Sequence, residues 1–344
     1  MLITQCLLLI ITLNKGVINM NIKKIGLTAL AASLVSVSAH AGEISVAGSA
    51  SIGIKNNSGN DGGKSITMGD QLTFTGGGEL DNGLNVALSF VIDHGDGDEA
   101  VNAFDSHSIT ISSDAMGSIV IAGEGAGNAQ SALDTTAAGD IWDNGFKHHT
   151  TGAGSSTNIA YVPMQGSDAS NSSINYTLPS MVDGLSVSAS YSPGGTAVES
   201  TSAFAFTYTG IEGLTVSYGA GEAGSTTAGK KGDVTTMKGS YAIGSFTAAY
   251  SNTEADMESG GTDEEMDSFK LSYSVTDDLS VSYGSETHET SGQSTDEEFE
   301  SISVSYTTGG MTLTAATYEA SGLGNNSGKA GEAERWKLGA SFAF

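Results

Sequence analysis

The sequence predicts an all-β chain closed into an antiparallel transmembrane β-barrel, and three observations predict it. Glu334 to Phe344 alternates with a period of two: Trp336, Leu338, Ala340, Phe342 and Phe344 share one face, and Arg335, Lys337, Gly339, Ser341 and Ala343 the other. That is the period of a strand, whose successive side chains point to opposite sides of the sheet. The apolar face also runs to the last, aromatic residue, which suits a strand with its outer face in lipid. Strands of this kind recur along the chain, joined alternately by short turns and long polar connections.

The front of the chain reads as a leader. Met20-Asn21-Ile22-Lys23-Lys24 is a basic start, Ile25 to Val37 an apolar run, and Ala39-His40-Ala41 a small-x-small site. This is the pattern of a secretory signal peptide cut after Ala41. The run is shorter than the ~20 residues an apolar membrane helix needs. Residues 1–19 carry a separate apolar run, Leu7 to Leu13, and read as an upstream extension, with Met20 as the true start. The expected organisation is a leader over 1–41 and one barrel domain over 42–344.

Composition narrows the function classes. Residues 1–41 hold three of the 13 basic residues and none of the 39 acids, so removing them leaves 10 against 39, a net charge of −29. Such a surface excludes nucleic acid as a partner, because phosphates demand basic residues. The single cysteine, Cys6, lies in the leader, so the exported chain has neither disulfide nor Cys metal site. No segment after the leader reaches ~18 consecutive apolar residues, which excludes helical spanning. Mean hydropathy is −0.06, and a barrel is compatible with that value because its two faces average out.

The strands follow in order. Ile44, Val46, Ala50, Ile52 and Ile54 mark the first. Gln71 to Leu80 leads into the tight turn Asp81-Asn82-Gly83, and Leu84, Val86, Leu88, Phe90 and Ile92 lead away. Further short turns fall at Ser113 to Gly117, Val182-Asp183-Gly184, Ile211-Glu212-Gly213, Ile243-Gly244, Thr276-Asp277-Asp278 and Thr308-Gly309-Gly310. Between them lie long acidic, glycine-rich stretches: Asp93–Ala100, Glu254–Asp267, Glu286–Glu298 and Ser321–Glu332. Short turns at one end and long loops at the other are the periplasmic and external ends of an outer-membrane barrel. Tyrosines keep phase with this pattern. Tyr191, Tyr218, Tyr250 and Tyr283 end the apolar face of strands leaving a turn, and Tyr176, Tyr208, Tyr241, Tyr273 and Tyr306 lie near the turn on strands entering it. Side chains with an apolar body and a wet tip belong at the two membrane surfaces.

Sixteen strands result if Gly123 to Ser170 is one insertion. Taken as one extra strand, Asn158 to Val162 would move every later short turn to the loop side, so it stays within the insertion. Eighteen strands, with a further turn near residue 148, is the alternative count.

Other chemistries find little support. Asp96, Asp98 and Glu99 are weak Ca²⁺ candidates, as are Asp263, Glu264 and Glu265, but neither group has EF-hand spacing. His148-His149 would point opposite ways on a strand. Gly123 to Gly127 is followed by no Lys-Ser/Thr and no helix, so it is not a phosphate loop. No nucleophile elbow or ordered triad is present. The expectation is a protein that is no enzyme and needs no cofactor.

With this pattern in place, the chain resembles the general porins of Gram-negative outer membranes, which are trimeric and sixteen-stranded. The resemblance rests on the signal peptide, on Leu80-Asp81-Asn82-Gly83-Leu84, on Met116 to Gly123 before a long insertion, and on the terminal Phe342-Ala343-Phe344. It implies a cell outer membrane location and a water-filled pore for passive diffusion of small hydrophilic solutes and ions. It also implies a homotrimer, and a third loop folded into the lumen. Trp336, Leu338, Phe342 and Phe344 would then face lipid and be read by the barrel-assembly machinery. The inward loop corresponds to Glu124–Thr151, whose acids Glu124, Asp134, Asp140 and Asp143 would line the constriction. In that family arginines face such acids, whereas here Arg335 is the only arginine. The period-two phase puts Lys55, Lys238, Lys270, Arg335 and Lys337 on the lumen side. Closure of the last strand on the first would make Lys55, Arg335 and Lys337 a basic strip opposite the acidic loop. Carboxylates outnumbering cations at a constriction predict cation preference. A substrate-selective channel on the same barrel is the alternative. Trp142 and Phe146 are the candidate lumen aromatics a sugar channel would need. An enzyme or adhesin barrel is a third reading, with no constellation or extra domain to carry it.

Overall fold

The computed structural model describes residues 44–56, 63–93, 104–124, 127–149, 156–158, 172–194, 199–223, 231–258 and 261–344. The expected leader and the Ca²⁺ candidates Asp96, Asp98 and Glu99 lie outside these residues. The strands are β1 (Ile44–Asn56), β2 (Lys64–Glu79), β3 (Asn85–Asp93), β4 (Phe104–Ser113), β5 (Gly117–Glu124), β6 (Lys147–His149), β7 (Ser156–Asn158), β8 (Ser173–Thr177) and β9 (Leu185–Ser192). They continue as β10 (Thr201–Tyr208), β11 (Leu214–Ala223), β12 (Gly232–Ile243), β13 (Phe246–Met257), β14 (Glu264–Ser274), β15 (Leu279–Thr290), β16 (Glu297–Thr308), β17 (Met311–Ser321) and β18 (Ala333–Ala343).

Sixteen of them form one closed antiparallel barrel in sequence order, with β5 next to β8 and β18 next to β1. β6 and β7 pair only with each other, within the insertion. The strand count is therefore sixteen, and Asn158 lies outside the barrel wall. Closure spares a sheet the edge that lipid cannot hydrate.

The seam is set by the last strand. Ala50 pairs with Phe342, Ile54 with Leu338 and Lys55 with Lys337. Beyond β18, Phe344 donates its N–H to the Gly48 carbonyl at 3.0 Å, and Gly48 returns one to the Phe344 carbonyl at 2.7 Å. The Phe344 ring lies over Gly48, where a Cβ would overlap it. Glycine at 48 is thus what lets the terminal ring lie on the wall.

Alternation sorts the side chains as predicted. Ile44, Ile66, Met68, Leu88, Ile109, Ile121, Phe204, Phe246, Leu271, Ile302, Leu338 and Phe342 are exposed on the outer face. Buried groups on the inner face are mostly small and polar, among them Ser190, Ser217, Thr236, Ser251 and Ser268. Apolar outside and hydroxyl inside is the arrangement of a barrel with lipid around it and water within.

Two expected long loops are strand instead. β13 and β14 continue to Met257 and from Glu264, and β15 and β16 to Thr290 and from Glu297, so only 258–263 and 291–296 connect them. Their ladders are continuous, with Glu254 opposite Glu265 and His288 opposite Glu297. Of the acids that read as loop, Glu254, Asp256, Glu265, Asp267, Glu289 and Glu298 stand on the outer face of strands that outrun the apolar belt, whereas Glu264, Glu286 and Glu297 face inward. Tyr250 and Tyr283 therefore lie midway along their strands, donating their hydroxyls to Asp267 and to Glu300 just above.

Candidate functional site: the lumen and its inward loop

The insertion between β5 and β8 enters the barrel and runs along the inner wall from β9 to β18. Its backbone polar groups meet inward-facing hydroxyls strand by strand. Ala129 N–H donates to Ser190 Oγ at 2.9 Å, Ala137 N–H to Ser251 Oγ at 2.8 Å and Ala138 N–H to Ser268 Oγ at 2.9 Å. Gln130 donates through Nε2 to Thr236 Oγ1 at 2.9 Å. A loop inside a protein must place its backbone groups somewhere, and the Ser/Thr wall receives them. Gly284 permits the approach, because a Cβ there would crowd Ala138 and Ile141.

Two charged groups fasten the far half of this loop. Glu286 on β15, 1% exposed, accepts the N–H of Ile141 at 3.0 Å, the N–H of Trp142 at 2.9 Å and the Thr136 hydroxyl. Arg335 on β18 donates to the carbonyls of Asn144 and Gly145, and to that of Asn56 at 3.0 Å. Between them Ile141, Trp142 and Phe146 bury against Val234, Ala255, Met266, Phe299, Ala320, Leu323 and Ala333. The rings of Phe146 and Phe299 lie 5.6 Å apart.

The loop's acids come together. Asp140 accepts the Thr136 N–H through Oδ1 at 2.9 Å. Asp134 is pushed up to about 6, first by burial and then by the charge of Asp140; hydrogen bonding from Thr135 and the charge of Lys238 offset part of this. Asp143 is raised by partial desolvation of its carboxyl and by the charge of Asp140. Glu124 ends β5, and its side chain lies outside the described residues.

The basic residues are not disposed as the sequence predicts. Lys55 and Lys337 do meet across the β1–β18 seam. Arg335, expected beside them in a strip opposite the acids, is buried and holds the loop itself. Lys238 likewise donates to the loop carbonyl of Thr135. Lys270, on β14 opposite Gly284, stands on the same wall that the loop covers. Trp142 and Phe146 are buried in the loop seat and so do not line open lumen.

Sequence reading missed Glu286 and Phe299, because Glu286 falls in the stretch taken as a loop and Phe299 directly follows it. The signal that marks them is apolar intrusion on an otherwise polar face: Val234, Met266 and Phe299 all point inward, where a water-filled lumen alone has no use for them.

Comparison with known proteins agrees with this architecture. Residues 26–344 match the family described as Gram-negative porin. No curated protein matches the chain. Among solved structures, a porin refined at 1.8 Å superposes with a TM-score of 0.62 at 18% identity, covering 88% of this chain and 100% of that one. A loop-deletion form of OmpT, an outer membrane protein of Vibrio cholerae, gives 0.62 at 18% identity and covers 89% and 100%. An anion-selective porin from Comamonas acidovorans gives 0.63 at 16% identity and covers 88% and 100%. At these identities the structural likeness is one of fold. Together with the family match over nearly the whole chain, it establishes that this chain belongs to the Gram-negative porins, the barrel channels of the outer membrane.

Proposed function

We propose that the chain is a general diffusion porin for small hydrophilic solutes and ions, with a preference for cations. The observation that carries the preference is the division of charge at the loop. Asp134, Asp140 and Asp143 sit together, whereas Lys238 and Arg335 spend their donors on loop carbonyls. Lys55 and Lys337 face each other across the seam. A constriction in which carboxylates outweigh cations draws cations. Selectivity does not travel with the fold, as the anion-selective neighbour illustrates. Burial of Trp142 and Phe146 removes the aromatic support for a sugar channel.

Reversal potentials across a planar bilayer in a KCl gradient test this reading, and anion preference at neutral pH would overturn it. The pH dependence has a definite sign. Asp134 is neutral below about 6 and charged above it, so cation preference is expected to fall between about pH 7.5 and about pH 5. A permeability ratio unchanged over that range would remove Asp134 from the selectivity mechanism.

The same reading includes a homotrimer joined through the outer faces of β1–β5. These strands carry no tyrosine: the first tyrosine after the leader is Tyr161. Their outer face is instead Ile44, Ile52, Ile66, Met68, Leu88, Ile109 and Ile121. Asp70 stands exposed on that face between Met68 and Leu72. A face covered by neighbouring copies needs no interfacial tyrosine, and it shelters an acid from lipid. Unheated protein on a mildly denaturing gel is expected to run as about three chains of residues 42–344 and to fall to one on boiling. A monomer-sized unheated band would contradict the trimer. Export by a leader cut after Ala41, and recognition of Trp336, Leu338, Phe342 and Phe344 by the assembly machinery, complete the proposal. Transport is passive, with neither catalysis nor cofactor.

A further inference from the structure

The external end of the lumen holds a second charged group, separate from the acids of the third loop. His288 on β15 is 1% exposed. Its Nδ1 lies 3.0 Å from Glu297 Oε2 on β16, and its Nε2 lies 3.3 Å from Glu264 Oε2 on β14. Glu297 is also buried, and its other oxygen accepts the N–H of Gly324 at 2.6 Å. Gly324 belongs to the last connection, residues 322–332. The neighbouring Leu323 is buried among Phe146, Phe299 and the rest of the third-loop seat. One carboxylate thus joins the histidine to the last external loop, and that loop leans on the side chains that hold the third.

The geometry suits an imidazolium. Each ring nitrogen faces a carboxylate oxygen, and only the doubly protonated ring donates to both. A neutral ring would set a lone pair against one carboxylate. Protonated carboxylates would leave a buried cation short of counter-charge. The charged groups around the ring are Glu264 and Glu297 in contact, Glu286 one pleat away on the same strand, and Lys270 farther along β14. Lys329 and Glu332 of the last connection, and Asp140 beside Ile141 on the third loop, complete the set among the described side chains.

We propose that Glu264, His288 and Glu297 form a proton-dependent latch that holds the last external loop against the third loop and keeps the pore open. The latch releases when Glu297, the carboxylate that joins the ring to Gly324, takes up a proton, and the freed loop then obstructs the mouth. The proposal rests on the channel reading above. A latch built from titratable groups and a displaceable segment is a known way for pH to move a loop.

Single-channel recording at about pH 7.5 and about pH 4.5 tests it. Wild-type protein is expected to stay open at the higher pH and to show closures at the lower. Glu297→Gln keeps the shape and removes the charge. It is expected to raise closure frequency at pH 7.5 by about tenfold, the factor that loss of a charge-assisted hydrogen bond carries. His288→Gln should do the same. Glu264→Gln, at the less buried partner, serves as a milder variant should either of these fail to fold, with heat-modifiable gel migration reporting folding for all three. Folded variants that close no more often than wild type overturn the latch, as does a wild type equally quiet at both pH values. A wild type that conducts nothing overturns the channel reading instead.

Discussion

Replacing Glu286 by alanine is expected to release the third loop from a barrel that stays closed. The carboxylate accepts from the Thr136 hydroxyl and from the N–H groups of Ile141 and Trp142, all at a buried site. Each donor left buried without a partner costs about 1–3 kcal/mol, so the seat loses several kcal/mol at once. The β15 ladder is a backbone structure, Ser268 to Glu286 to Phe299, and is untouched by the change. The expected signature is a wider scatter of single-channel conductance together with new protease cleavage within residues 127–146, while unheated gel migration stays that of the wild type. Glu286→Gln should rescue only in part, because its amide NH₂ would face a donor. A Glu286→Ala channel with wild-type conductance and no new cleavage would show that the apolar seat of Ile141, Trp142 and Phe146 holds the loop unaided.

Arg335→Ala is expected to have the next largest effect, and the sequence and the structure disagree about its nature. As a lumen charge alone, Arg335 would tune selectivity and nothing else. As the donor to Asn144, Gly145 and Asn56, it ties the end of the loop to both sides of the barrel seam. The structure therefore predicts a change in conductance and loop protection as well as in selectivity. Arg335→Lys separates the two accounts, since it keeps the charge and loses the planar fork that reaches several carbonyls at once. Loop loosening in both variants supports the tie. If Arg335→Lys matched the wild type in conductance and cleavage, and Arg335→Ala altered only the reversal potential, the charge account would stand.

Both residues show where reading the sequence reached its limit. The face of Arg335 was legible, because Trp336, Leu338, Ala340 and Phe342 set the phase of β18 beyond doubt. Its partners were not, since a face is a local property and a hydrogen bond across a lumen is not. Glu286 was harder still. Above the apolar belt, strands β13 to β16 carry acids on their outer face and a mixture of Thr253, Met266, His288 and Phe299 on the inner one. Without contrast between the faces, the period of two fades and strand reads as loop.

What the sequence by itself determined is the antiparallel barrel, its inner and outer faces, and the seam that puts Lys55 beside Lys337. Each of these follows from neighbours two residues apart and from the medium each face meets, lipid or water. The choice of sixteen strands over eighteen came only with the pairing of β6 to β7 inside the insertion. What only the tertiary structure decided is the lumen. Ile141 finds Glu286 145 positions along the chain, and Gly145 finds Arg335 190 positions along. A buried donor requires an acceptor but does not name one, and closure of the barrel is what brings these acceptors and donors to the loop.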